Sequence, residues 1–348
     1  MPAKYIMSHN YAYIQNPGGV ADMANNLASA LSQTTSDLIE VFPADRTKGR
    51  TLWRFLSEIE LSLRHFSDPV VLLFPNYFAL PLPWSKAKSI VVVHDLQFRY
   101  YPGFQSILKR LILEFSYRLA QRRAAGVVFI SEATQSDFVK FYGPPSRSAV
   151  ILTPIEVASA SHSSDSASKY AGAPYAIANF HSYPHKNLEK VFELFRQLRS
   201  VTPKLKLIVT GRQPKQRDLI SKAGLDPESV VFTGFIEKQE VLNLIAGAEF
   251  FVSMSLFEGF NMSAAEAAKL GRPLLLSDIP VHRELFSEYA FLVDPATTSF
   301  DVQRFLTYLS NFSSHERWEL AEKTEPRYAA ERYIQFFENV LGAQPSSE

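Results

Sequence analysis

At 348 residues the chain is too long for a single ordinary core, and two domains of usual size account for it. Hydrophobic residues at 46% and charged residues at 20% are the balance of a soluble globular protein, and a formal net charge of +1 offers no global field to nucleic acid or to an anionic membrane. The absence of cysteine excludes disulfides, thiolate metal sites and cysteine nucleophiles.

The first residues, Met1 to Ile6, lack the long apolar stretch of a signal peptide. The longest apolar runs, such as Val70–Phe74 and Ile90–Val93, are far short of a bilayer span. The expectation is a cytoplasmic protein, with peripheral contact at the inner face of the membrane left open. A first strand is expected over Tyr5–Ser8 and a helix over Asp22–Leu31, joined by Asn16-Pro17-Gly18-Gly19-Val20. A glycine pair at a strand–helix junction leaves room for phosphate beside backbone N–H groups, and it is also an ordinary turn.

Val70–Phe74, Ser89–Val93 and Gly126–Ile130 are continuously apolar, as parallel strands covered on both faces should be. His94-Asp95 closes the second of them. The carboxyl end of a parallel strand is where α/β folds bind ligands, although a lone histidine there is often bonded only within its own loop. The stretch Phe104–Ala125 sets Lys109, Arg110, Arg118, Arg122 and Arg123 beside Ile107, Leu108, Leu111 and Phe115. It reads either as a surface for membrane lipid or a lipid-linked acceptor, or, as is more usual, as a core face with a solvated basic back. Ser131 is placed to cap a helix starting at Glu132.

Residues 158–168 are small and polar, unable to pack a core, and mark a linker. The predicted organisation is an N-terminal Rossmann-like domain over 1–157, a linker over 158–172, a C-terminal Rossmann-like domain over 173–325, and a closing helix over 326–348. Further strands are expected over Tyr175–Asn179, Lys206–Thr210, Ser229–Thr233, Phe250–Ser253 and Pro273–Ser277. Leu188, Val191, Phe192, Phe195 and Leu198 fall at helix spacing between the first two. Strands alternating with helices predict α/β units with parallel sheets. No internal repeat of fixed period is evident.

The densest constellation is SMSLFEGFNMSAAEAAKLGRPLLLSDIPVHRE over residues 253–284. It reads as strand, tight turn, helix, with Gly271 ending the helix. N–H groups at Phe260, Asn261, Met262 and Ser263 open the helix without intrahelical acceptors, and with the positive end of the dipole they suit a diphosphate. Gly259 permits a tight turn and close approach of a ligand. Glu258 lies just ahead of the helix and Glu266 within it; paired carboxylates accept from neighbouring sugar hydroxyls. Taken without their neighbours, the two would be a loop charge and a solvated helix face.

The surrounding residues change that weighting. Ser255, Glu258, Gly259, Phe260, Glu266, Ala267, Gly271 and Pro273 match the signature of the retaining glycosyltransferases of family four, and the chain resembles their bacterial mannosyltransferase-like members. Asn261 stands where that family commonly has glycine, and Ser263 replaces a frequent proline. The resemblance extends to Gly18-Gly19-Val20, to Val91-Val92-Val93-His94-Asp95-Leu96 with Tyr101-Pro102, to Ile130-Ser131, to Pro184-His185-Lys186-Asn187-Leu188 and to Gly234-Phe235. Gly103 follows Pro102 where the family has glutamate. It implies the GT-B architecture, two Rossmann-like domains with a deep cleft between them, and a last helix crossing back to the first domain with Tyr333, Phe336 and Phe337.

By the same resemblance, His94 and Glu258 act on the transferred sugar. Gly18, Gly19, Lys186, Gly259, Phe260, Asn261, Met262 and Glu266 hold a GDP- or UDP-linked donor. Relatives carry an arginine upstream of the lysine. Ala178-Asn179-Phe180-His181 has none, and Arg212 is the candidate replacement. No metal-ligand spacing is visible and no cofactor beyond the nucleotide-sugar donor is expected. The implied reaction moves a hexose, mannose-like by preference, to a glycan or lipid-linked acceptor in cell-surface polysaccharide synthesis. A nucleotide-sugar epimerase or hydrolase, or a non-catalytic sugar-binding member, are the alternatives.

Overall fold

The computed structural model describes residues 5–8, 19–35, 37, 39–42, 61, 66, 68–76, 86–157, 172–180, 183–211, 218–297, 300–313 and 317–342. They divide into two compact units: Met1–Glu156 together with Glu322–Glu348, and Val157–Ala321. Most of the expected linker, over 158–171, lies outside the described residues.

The first unit runs β1 (Tyr5–Ser8), α1 (Gly19–Thr34), β2 (Ile39–Phe42), β3 (Val70–Phe74), β4 (Ala87–Val93), α2 (Gln97–Tyr100), α3 (Ile107–Arg123), β5 (Gly126–Phe129), α4 (Glu132–Tyr142) and β6 (Ser148–Val150). Its sheet has the order β2-β1-β3-β4-β5-β6, every pair parallel. All five residues of β3 are buried, and so are the last five of β4. That is the sequence pattern of strands covered on both faces.

The second unit runs β7 (Tyr175–Phe180), α5 (Leu188–Arg199), β8 (Lys206–Gly211), α6 (Asp218–Lys222), β9 (Val230–Gly234), α7 (Lys238–Ala246), β10 (Phe250–Ser253), α8 (Met262–Lys269), β11 (Leu274–Ser277), α9 (Pro280–Phe286), β12 (Ala290–Val293) and α10 (Val302–Asn311). Its parallel sheet has the order β12-β11-β10-β7-β8-β9. The direction of winding reverses between β7 and β10. Loops leaving those two neighbours part to opposite faces, and the gap at their carboxyl ends is where such sheets take ligands. Predicted spacing on α5 is met: Leu188, Val191, Phe192, Phe195 and Leu198 are all buried.

The last helix, α11 (Pro326–Leu341), returns to the first unit and packs against α1. Tyr333 and Phe337 are buried, and the Phe337 ring centroid is 5.1 Å from that of Tyr5. A Cβ at Gly126 would fall 2.7 Å from the Phe336 ring, so glycine lets this helix close on β5. The strands β2, β6 and β12, not foreseen in the sequence, sit at sheet edges.

Candidate functional site

At the winding reversal of the second unit, the loops after β7 and β10 are tied together. Pro184–Lys186 forms one turn of 3₁₀ helix, and Asn187 then adopts a left-handed conformation (φ 51°, ψ 49°), which asparagine tolerates well. The Leu256 N–H donates to the His185 carbonyl at 2.7 Å, fixing one loop against the other. Lys186 Nζ thereby comes to 2.6 Å from Glu258 Oε1.

Glu258 is neither solvated nor isolated. Its burial pushes the carboxyl pKa up, but the charge and hydrogen bond of Lys186, a hydrogen bond from Ser255 and nearby His282 outweigh that and hold it below the ordinary carboxylate value. Glu258 is therefore an anion that keeps the lysine in one place.

Asn261 opens α8 in the left-handed region (φ 74°, ψ 71°), a conformation that glycine would take without strain. Three bonds hold it there. Its Oδ1 accepts from the Ala264 N–H at 3.3 Å, and its Nδ2 faces Ser253 Oγ at 3.3 Å and His282 Nε2 at 2.9 Å. Because the asparagine amide donates, His282 Nε2 must be the acceptor and the ring proton lies on Nδ1. That nitrogen donates to the Ser277 carbonyl at 2.8 Å. Burial, the largest cause, lowers the His282 pKa to about 4, so the ring is neutral at ordinary pH. Ahead of these bonds, the N–H groups of Met262 and Ser263 open the helix without intrahelical acceptors. Phe260 is buried beneath the turn, and Gly259 joins it to Glu258.

Glu266 is 2% exposed, which removes the solvated-face reading. The small residues Ala264, Ala265, Ala267 and Ala268 are buried around it. Its Oε1 accepts from Lys238 Nζ, at the first residue of α7. Each of the two glutamates thus has its own lysine. Lys238 and His282 were not singled out in the sequence. A lysine in the first turn of a helix works against the dipole, and that conflict could have flagged Lys238. A buried histidine 21 residues beyond Asn261 leaves no local signal.

In the first unit, His94 follows β4 and is buried. Its Nε2 lies 2.6 Å from the Pro75 carbonyl after β3 and must donate the proton, since a carbonyl only accepts. Burial lowers its pKa to about 4, and the neutral ring keeps Nδ1 as an acceptor. The His94 carbonyl accepts from Thr134 Oγ1 at 3.4 Å, and Ser131 Oγ caps α4 through the Thr134 N–H at 3.1 Å. Asp95 Oδ1 accepts from the Gln97 N–H, a turn role. Gly19 is the first residue of α1. Gly18 and Arg212 lie outside the described residues, as do Asn16, Pro17 and His181.

Two doubly wound parallel units, one carrying a lysine–carboxylate pair and a helix start at its winding reversal, have the architecture of the solved GT-B structures. Residues 25–159 match the family model Glycosyltransferase Family 4, and residues 167–324 match the model described as Glycosyl transferases group 1. The chain belongs to glycosyltransferase family four.

It is 27% identical over 208 residues to the O-antigen chain mannosyltransferase RfbU of Salmonella typhimurium, covering 59% of this chain and 56% of that protein, so the chain spans little more than half the length of that relative. It is 26% identical to the GDP-mannose:cellobiosyl-diphosphopolyprenol alpha-mannosyltransferase of Xanthomonas oryzae pv. oryzae, covering 78% of each. Among solved structures it resembles Anabaena Alr3699/HepE in complex with UDP and glucose, with a TM-score of 0.69 at 15% identity, over 97% of this chain and 99% of that one.

Proposed function

We propose that this glycosyltransferase moves a mannose-like hexose, with retention of anomeric configuration, from a GDP- or UDP-linked donor to a glycan or lipid-linked acceptor in the synthesis of a surface polysaccharide. The observation that carries the donor assignment is the Lys186–Glu258 pair, 2.6 Å apart beside the α8 start. An ammonium group has three donors, so Lys186 can keep Glu258 and still present hydrogens to a diphosphate. Met262 and Ser263 N–H groups and the helix dipole add to it. The mannose preference is supported by the printed activities of the Salmonella and Xanthomonas relatives.

No side chain is assigned as a covalent nucleophile, because Glu258 is engaged by Lys186. In the proposed step the bond from the anomeric carbon to the departing phosphate oxygen breaks, and the acceptor oxygen bonds to that carbon on the same face. The acceptor's proton passes to the departing phosphate. Lys186 and the helix start stabilise the charge that builds on the leaving group. Glu258 and the Nδ1 of His94 accept from sugar hydroxyls, and Glu266 accepts from the ribose.

Calorimetric titration of GDP and UDP into the parent and into Glu266→Gln tests the nucleotide side. The variant keeps its shape but loses a charged acceptor, so weaker binding is expected, and equal affinity overturns the ribose role. Proton NMR of the first product formed from a GDP-mannose donor reads the anomeric outcome directly. An inverted product removes the retaining assignment.

A further inference from the structure

The helix α3 has two apolar faces, and only one of them is used. Leu113, Tyr117 and Ala120 are buried and pack with Val91, Val93 and Phe138 in the core of the first unit. Ile107, Leu108, Leu111 and Phe115 stand 73%, 69%, 62% and 64% exposed, with Ile112 at 37%. At about 100° per residue these five fall on an arc of roughly 140°, opposite the buried face. The sequence reading that made this stripe a core face is therefore wrong: the core is built from the other side. Scattered exposed apolar residues need no explanation, but a continuous run along more than two turns does.

The charges single out the occupant. Arg118 and Arg122 continue the stripe one and two turns further along, Arg123 lies at its margin, and all three are exposed. Lys109 and Arg110 flank it. The helix carries a single carboxylate, Glu114, which is held by Arg99 and Arg118. Lys109, Arg110, Arg122 and Arg123 make no ion pair among the described residues. A chain with a net charge of only +1 thus gathers five cations on one helix around bare Ile, Leu and Phe. A second copy of the same face would set like charges against each other, whereas a bilayer with anionic headgroups satisfies both halves of the pattern. No described helix is long and apolar enough to cross a membrane, so the helix would lie in the interface plane.

We infer that α3 is a membrane-docking surface for anionic lipid, with Ile107, Leu108, Leu111 and Phe115 entering the headgroup boundary and Lys109, Arg110, Arg118, Arg122 and Arg123 on the phosphates. This holds whatever nucleotide the second unit takes.

The test is co-sedimentation of the full chain with vesicles of phosphatidylcholine alone or mixed with phosphatidylglycerol. Binding to the mixed vesicles is expected, weakening as salt screens the charges. Leu111→Ser with Phe115→Ser should lower the partition coefficient at least about tenfold, because two side chains lose their burial in lipid. Arg122→Gln with Arg123→Gln should erase most of the preference for the anionic mixture. These side chains are exposed, so melting temperature and nucleotide-diphosphate affinity should match the parent. That separates a failure here from a failure of the donor assignment. Equal partitioning of parent and apolar variant, or no binding to either vesicle, overturns the inference. So does self-association of the parent in sedimentation velocity that the Ser variant abolishes without any vesicle binding.

Discussion

The two units finish the ends of their strands in different ways. After β4, His94 is held by backbone: its ring donates to the Pro75 carbonyl and its carbonyl accepts from Thr134. After β7 and β10, charged side chains hold one another, Lys186 with Glu258, and Lys238 with Glu266 across from α7. A buried histidine kept neutral by its burial stands in each unit, His94 in the first and His282 in the second. The first arrangement fixes one ring and leaves one acceptor atom. The second stores opposite charges whose partners can be shared with an anionic ligand. A neutral acceptor suits a sugar hydroxyl, and a shared lysine suits a diphosphate.

The largest expected effect is on acid stability and involves both units. Each histidine has its pKa lowered from 6.5 to about 4. The unfolded chain takes up protons below pH 6.5 that the folded chain refuses until about pH 4, so stability falls as pH drops through that window. Each contributes up to about 3 kcal/mol, an order-of-magnitude figure. Glu258 acts at lower pH: its folded value lies below 4.5, so its contribution is present above 4.5 and is lost as pH falls through the lowered value. Scanning calorimetry from pH 7 to 4 should show the melting temperature falling. His282→Ala should flatten part of that slope, and a flat parent profile would contradict the buried neutral rings.

Lys186→Ala strikes the charged end alone. Donor affinity should fall about tenfold to a hundredfold, the value of a charged hydrogen bond of about 1.5–3 kcal/mol. Stability should drop by about 1–3 kcal/mol, because a largely buried carboxylate loses its cation. Adding Glu258→Gln should restore the melting temperature but not the affinity. If both return together, Lys186 serves only the fold.

His282→Ala leaves the Asn261 amide with Ser253 Oγ but without its shorter hydrogen bond, at a cost of about 1–2 kcal/mol. Asn261→Gly in that background should recover much of the loss, since glycine takes φ 74° without a partner. No recovery in thermal melts would show that the histidine acts elsewhere.

His94→Ala tests the backbone-held end. Donor affinity should stay within about twofold while the catalytic constant falls about tenfold, as expected for one hydrogen bond to the reacting sugar. Full activity per folded molecule would leave His94 with a structural role only. Lys238→Ala is read on stability. Its own side chain is half exposed, but its partner Glu266 is 2% exposed, so the loss should be about 1–3 kcal/mol, as for Lys186. No loss in denaturant titration would show that Glu266 does not depend on it.

Strand runs such as Val70–Phe74 and Phe250–Ser253, the cap at Ser131 and the glutamate signature were all legible in the chain, because burial on both faces, capping and turn chemistry act over a few neighbouring residues. Three of the four edge strands, β2, β6 and β12, were not, whereas the fourth, β9, was. Local sequence also marked Lys186 and Glu258 as candidates, 72 residues apart, without pairing them. Only the strand order, which makes β7 and β10 neighbours, brings them to 2.6 Å. The same holds for Asn261 with His282, and for Lys238 with Glu266. It holds too for α3, whose composition allowed either apolar face to be the buried one until Leu113, Tyr117 and Ala120 met the sheet. Periodicity names the faces of a helix, but which face loses its water depends on what the rest of the chain places against it.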